Sequence, residues 1–295
     1  MLWGLFLKMI IADRVAVLVN TVFNNYTEYA GFQIVVAVLM FAVQIYCDFA
    51  GYSTIAIGAA QVMGFKLMDN FHQPYFATSV RDFWHRWHIS LSTWFRDYLY
   101  IPLGGNRKGT ARKYFNTMVT FIVSGLWHGA SWHFVIWGGL HGFFQVFGSI
   151  TKPLRDKIKR ALKVNTECGS YRVFQSLITA VLVCFAWIFF RADSTTVAFQ
   201  MIKSMFSTYN PWIFFDGSLF TLGLDAHDFF VAIISILVLL YVDLAHERKQ
   251  SFRAKILEQN IAFRWVFYYA LIFVLIIFGY YGEGYDASQF IYFQF

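Results

Sequence analysis

Long, nearly uncharged apolar runs recur along this chain, and each approaches the length of about 20 residues that a bilayer-crossing helix needs. Residues 32–49, 174–190, 229–244 and 263–280 are the strongest of them. Residues 2–23 form a weaker candidate, because Lys8, Asp13 and Arg14 interrupt it, and residues 1–20 show no small-residue cleavage site, so they read as a span or interfacial helix. Residues 114–150 are apolar but broken at His128-Gly129-Ala130-Ser131, which suits two spans or two shorter helices meeting inside the bilayer. Only 14% of the chain is charged, against about 25% in a soluble domain. An all-α, polytopic membrane protein follows, with residues 1–295 as a single domain.

The loops agree on one topology. Residues 66–113, 152–163 and 248–255 are basic, whereas 191–228 is nearly balanced, as alternating cytoplasmic and outer loops would be. The net charge of +7 is thereby assigned to loops facing anionic lipid, and a nucleic-acid partner is not expected. Cys47, Cys168 and Cys184 stand alone, without a CxxC pair, so neither a disulfide framework nor a zinc site is indicated.

One stretch carries most of the chemistry. Between Arg81 and Gly142 lie five of the eight histidines and six of the ten tryptophans. Taken as a helix, Trp84, Trp87, His88, Leu91, Trp94, Phe95 and Tyr98 share one apolar face. His85 falls on the other side, toward water or headgroups. Ionisable groups in apolar surroundings are costly and point to function. His128 stands at the break between two apolar segments, followed by Gly129, and broken helices are tolerated in a bilayer chiefly where they line a cavity. His88 faces the apolar side of its helix and is the second candidate. His133 and His141 read as packing residues, and His72, His227 and His246 as loop or interface residues. Asp48 reads either as a helix-end carboxylate at the interface or as part of the site.

Several chemistries are excluded. The chain has no GxSxG elbow, no P-loop, no HExxH and no GxGxxG. No histidine has an aspartate five positions later, and no carboxylate or cysteine accompanies the histidines at ligand spacing, so no metal is expected. A neutral imidazole in a dry cavity remains. It can take a proton from a hydroxyl as that hydroxyl attacks an acyl carbonyl, and apolar walls keep water from the acyl group.

At these residues the sequence resembles the membrane-bound O-acyltransferase family, in its branch of bacterial alginate O-acetyltransferase membrane subunits. The matching stretches are GLFLKMIIADRVA (4–16), QIYCDFAGYSTIAIGAAQVMGF (44–65), RDFWHRWHISLSTWFRDYLYIPLGGNRKG (81–109), GLWHGASWHFVIWGGLHG (125–142), FAWIFFRAD (185–193) and YDASQFIYFQF (285–295). The resemblance covers the C-terminal two-thirds of a typical member, without its first spans. It implies broken or re-entrant helices around a central funnel, with His128 as the catalytic histidine and His88 as the second one, orienting or stabilising the donor carbonyl. Trp87, Trp127, Asp48, Arg107 and Lys108 are the accompanying substrate-binding candidates. The resemblance further implies acetyl-CoA as donor substrate with no bound cofactor, a bacterial inner-membrane location, an exported SGNH-hydrolase-like partner, and a polysaccharide acceptor. Two rival readings are a proton-coupled transporter using intramembrane histidines and a non-catalytic scaffold subunit.

Overall fold

A computed structural model describes residues 1–281; residues 282–295, with the terminal YDASQFIYFQF stretch and the acidic tail, lie outside the described residues. Among the described residues the regular structure is helical throughout. In the first half run α1 (Leu2–Leu5), α2 (Asp13–Asn24), α3 (Phe32–Val62), α4 (Val80–Arg86), α5 (Ile89–Phe95) and α6 (Thr110–His128). In the second run α7 (Trp132–Ile150), α8 (Lys152–Ala161), α9 (Gly169–Arg191), α10 (Thr195–Ser207), α11 (Ala226–Glu247), α12 (Phe252–Leu257) and α13 (Ile261–Phe278). By length and composition α3, α9, α11 and α13 can each cross a membrane, and α7 with α8, bent by 50°, has the makeup of a broken span or a re-entrant loop. The protein is an all-α polytopic membrane protein, as the apolar runs imply.

The longest helix shows why. α3 has 31 residues, a rise of about 46 Å, against a hydrocarbon core of about 30 Å. It runs past the expected end at residue 49 because the following GYSTIAIGAAQV holds small residues and no proline. It stops at Gly64, whose φ of +85° admits the left-handed turn, while the Phe65 amide donates to the Ala60 carbonyl and the Gly64 amide to that of Gln61.

Two compact units emerge. The first contains Met1–Asp69 and the chain from Gln200 onward. In it, residues 2–24 form a single helical rod in which a π-helical turn, Phe6–Ala12, joins α1 to α2. The three charges that weaken this segment as a span are turned inward and paired, with Oδ2 of Asp13 left without a hydrogen-bond partner among the described residues. Lys8 sits between Asp13 at 2.8 Å and Asp48 of α3 at 2.6 Å. Arg14 donates to Asp228 and to the carbonyls of Ile10 and Phe278. α11 and α13 leave apolar side chains such as Leu237, Val266 and Phe273 exposed, which suits contact with lipid tails.

The second unit, Asn70–Phe199, contains the histidine-rich stretch. Here α6 and α7 form an antiparallel hairpin. A side chain on Gly125 would run into the Phe134 carbonyl, and one on Gly138 into that of Phe121, so the two backbones touch because both positions are glycine.

Candidate active site

The expected single helix from residue 84 to 98 is broken. α4 ends at Arg86, and His88 takes φ 43° and ψ 55°, a left-handed conformation uncommon for a side-chain-bearing residue. The apolar stripe holds up to that break and only in part beyond it: Trp84, Trp87 and His88 are buried and so is Phe95, whereas Trp94 is 52% and Tyr98 70% exposed. A left-handed residue changes the direction of the axis, so the periodicity of α4 does not carry into α5. His85 is exposed, as expected.

The side chain that accepts this turn's hydrogen bonds comes from outside the helical stretch. Oδ1 of Asn70 accepts from the Ser90 amide at 3.2 Å and the Ser90 hydroxyl at 2.9 Å, and meets Nδ1 of His88 at 3.3 Å. The Asn70 carbonyl takes the Ile89 amide at 3.0 Å. Strained left-handed residues persist where the surroundings over-determine them, and they cluster at functional sites. His88 lies outside the candidate spans; burial first, and then the charge of nearby His128, lower its basicity. The two histidines singled out from the sequence are thus brought together.

His128 is the last residue of α6, where the chain leaves the helix through Gly129. It is 8% exposed and enclosed by aromatic rings. Trp127, Trp137 and Phe190 meet it edge-on at centroid distances of 4.9, 5.0 and 5.2 Å. Trp137 in turn stacks on Trp187, which packs against Trp87. Trp87 is therefore a wall of this cluster, and Trp127, 54% exposed, covers its outer side. A base in such a box is shielded from water.

The remaining histidines of α7 take separate parts. His133 donates through Nδ1 to the Phe189 carbonyl at 3.0 Å and ties α7 to the end of α9. His141, fully buried, accepts the Trp84 indole N–H at Nδ1 over 3.2 Å. That bond puts the proton of His141 on Nε2, which finds no hydrogen-bond partner among the described residues, and neither does Nε1 of Trp137. Each unsatisfied buried donor costs about 1–3 kcal/mol.

A cavity of about 350 Å³ opens on the same unit. Its cations are Arg81, Arg96 and Lys113, and no carboxylate lines it among the described residues. Trp84, Phe95 and Phe121 supply apolar wall, and Thr117, Thr120 and Ser124 supply hydroxyls along one face of α6. Ser124 lies one helical turn before His128, and Trp84 packs on Trp137, which touches His128. The inner wall of the cavity is thus two side chains from the buried imidazole.

Other expected residues lie elsewhere. Arg107 and Lys108 are exposed in the turn before α6 and do not line the cavity. That turn is held by Asn116, whose Nδ2 donates to the carbonyls of Gly105 and Leu103. Asp48 belongs to the first unit and pairs with Lys8. Asp225, His227 and Asp228 bring their ligand atoms within 4.8 Å of one another, but at the surface. Asp225 caps α11 there, and Asp228 pairs with Arg14. Sequence reasoning missed Asn70, the bond between Trp84 and His141, and Arg81 and Arg96 as cavity cations. The signal for the cations was their placement around the histidine-bearing helices; Asn70 offered none.

Comparison with known proteins adds to this geometry. A family model described as MBOAT, membrane-bound O-acyltransferase family, matches residues 2–191. A probable alginate O-acetylase of Pseudomonas putida is 42% identical over 209 residues, which are 71% of this chain and 40% of that protein. A peptidoglycan O-acetyltransferase of Helicobacter pylori is 38% identical over 205 residues, 68% of this chain and 37% of the relative. A teichoic acid D-alanyltransferase of Bacillus subtilis is 31% identical over 128 residues, 40% of this chain and 32% of its own. The chain aligns with about 40% of the length of the alginate and peptidoglycan relatives it matches most fully.

Proposed function

Because the chain belongs to the membrane-bound O-acyltransferase family, we propose that it takes part in moving an acetyl group from acetyl-CoA toward an exported, alginate-like polysaccharide. The observation that carries this reading is the pair of buried imidazoles, His88 and His128, enclosed by tryptophan and phenylalanine. His128 acts as the base. It takes the proton of the acceptor hydroxyl while the hydroxyl oxygen forms a bond to the thioester carbonyl carbon. The carbon–sulfur bond then breaks, and the proton passes from His128 to the departing thiolate. The aromatic box keeps water from competing for the acyl group.

The donor is a nucleotide thioester with several negative charges. The cavity bearing Arg81, Arg96 and Lys113 supports that choice, since it offers cations without carboxylates and leads inward to Ser124 and Trp84. Trp87 and Trp127 flank the transferred group, and Arg107 and Lys108 add positive potential at the surface of the neighbouring turn. Asp48 contributes by fixing Lys8 and the first helical rod. The protein works in the bacterial inner membrane, with its helices contributing to a central funnel. It hands acetyl to an exported SGNH-hydrolase-like partner, which esterifies the polysaccharide.

Membranes supplied with radiolabelled acetyl-CoA, partner and acceptor test this. The arms are this chain, its His128→Ala variant, and a form extended at the N-terminus to the length of the relatives. Label reaching partner or polysaccharide only when His128 is intact is the expected result, with a loss of about 10²–10⁴-fold in the variant. Undiminished transfer by His128→Ala overturns the assignment.

A further inference from the structure

The bonds around Asn70 fix more than a turn. The Ser90 amide can only donate, so the Asn70 atom facing it at 3.2 Å is the amide oxygen and not the nitrogen. The Ser90 hydroxyl also lies 3.3 Å from Nδ1 of His88, but its one proton goes to the same Asn70 oxygen at the shorter distance of 2.9 Å, so it too faces Nδ1 as an acceptor. The atom that Nδ1 of His88 meets at 3.3 Å is therefore an acceptor. An imidazole nitrogen facing an acceptor carries the proton, which leaves Nε2 with its lone pair.

We propose that Asn70 is a positioning residue for the transfer reaction, holding His88 as the Nδ1–H tautomer so that Nε2 acts as an acceptor. This rests on the functional reading above and refines it. A ring presenting a lone pair accepts from a donor beside it in the site, while the proton of the incoming hydroxyl goes to His128. It does not polarise the donor carbonyl, the part expected for His88 from the sequence. The titratable neighbour whose charge His88 feels is His128, so a proton arriving on His128 further disfavours one on His88. The left-handed backbone at His88 fits the same account, because both the ring and the main chain of that turn are tied to one asparagine.

Two measurements test it. In lipid nanodiscs, ¹⁵N-histidine spectra of the full chain, with the His88 signal assigned through His88→Gln, report the tautomer without any need for turnover. A protonated Nδ1 and bare Nε2, giving way to mixed tautomers in Asn70→Ala, are expected. A protonated Nε2 in the wild type overturns the proposal.

The second is the pH profile of acetyl transfer in the membrane assay. Asn70→Ala should lose about tenfold, the worth of one hydrogen bond. Asn70→Asp keeps the acceptor oxygen and the turn, and should retain more activity than the alanine variant. Its carboxylate favours protonated His88, so the neutral ring is lost at a higher pH on the way down. The acid limb of the profile should therefore rise by about one pH unit or more. An unmoved limb in an active Asn70→Asp protein overturns the positioning role. A wild type that transfers nothing while the spectra show the Nδ1–H tautomer removes the functional reading and leaves the tautomer assignment standing.

Discussion

The two compact units bury ionisable groups in opposite ways. In the first, Lys8, Asp13 and Asp48 are charged and in direct contact, and Arg14 is tied to Asp228 and two carbonyls. In the second, His88, His128 and His141 are buried among aromatic rings with no carboxylate in their hydrogen bonds or ring contacts described above. Burying a charge is tolerable when an opposite charge is supplied at once. Burying a weak base without a counter-charge keeps it neutral and able to accept a proton. The first arrangement serves the fold, and under the proposed function the second serves chemistry.

The contrast breaks most visibly at Lys8. Lys8→Met leaves Asp13 and Asp48 facing each other in a buried site and should cost about 3–5 kcal/mol. Thermal unfolding in detergent would read this as a large fall in Tm. Adding Asp13→Asn and Asp48→Asn to Lys8→Met removes the stranded charge and should recover most of the loss. If Lys8→Met is as stable as the wild type, the ionic account of the first unit is wrong.

A smaller effect is expected at the α6–α7 hairpin. Gly138→Ala places a methyl group against the Phe121 carbonyl and forces the helices apart, at a cost of about 1–3 kcal/mol. Because His128 ends α6, acetyl transfer should fall by more than the stability loss explains, and a transfer assay on the folded fraction checks this. The smallest effect sharpens the comparison from the first unit. Tyr46→Phe removes one hydrogen bond to Asp243, at 3.0 Å, and should cost about 1 kcal/mol in stability. Transfer by the folded protein should be unchanged, and a loss of rate there would mean that the first unit also carries chemistry.

Much of this was legible beforehand. The apolar runs gave the main helices, because a segment with no polar side chains has few ways to satisfy its backbone other than as a helix. His128 stood out through its position at an interruption, and the structure places it at the end of α6. The left-handed turn at His88 was not legible. Periodicity assumes one continuous axis, and a single residue at φ 43° ends it without a proline or glycine to announce the fact.

Sequence alone determined the class of the protein and its family and singled out the pair of histidines, since each depends on residue type and local spacing. Tertiary structure decided which partner each buried polar group meets. Lys8 finds Asp48, Trp84 finds His141 57 positions away, and His88 finds Asn70 18 positions before it. Such pairings have no periodicity to reveal them. They are set by the close approach of backbones, as where Gly125 and Gly138 bring α6 and α7 together, and by the demand that buried polar atoms be satisfied.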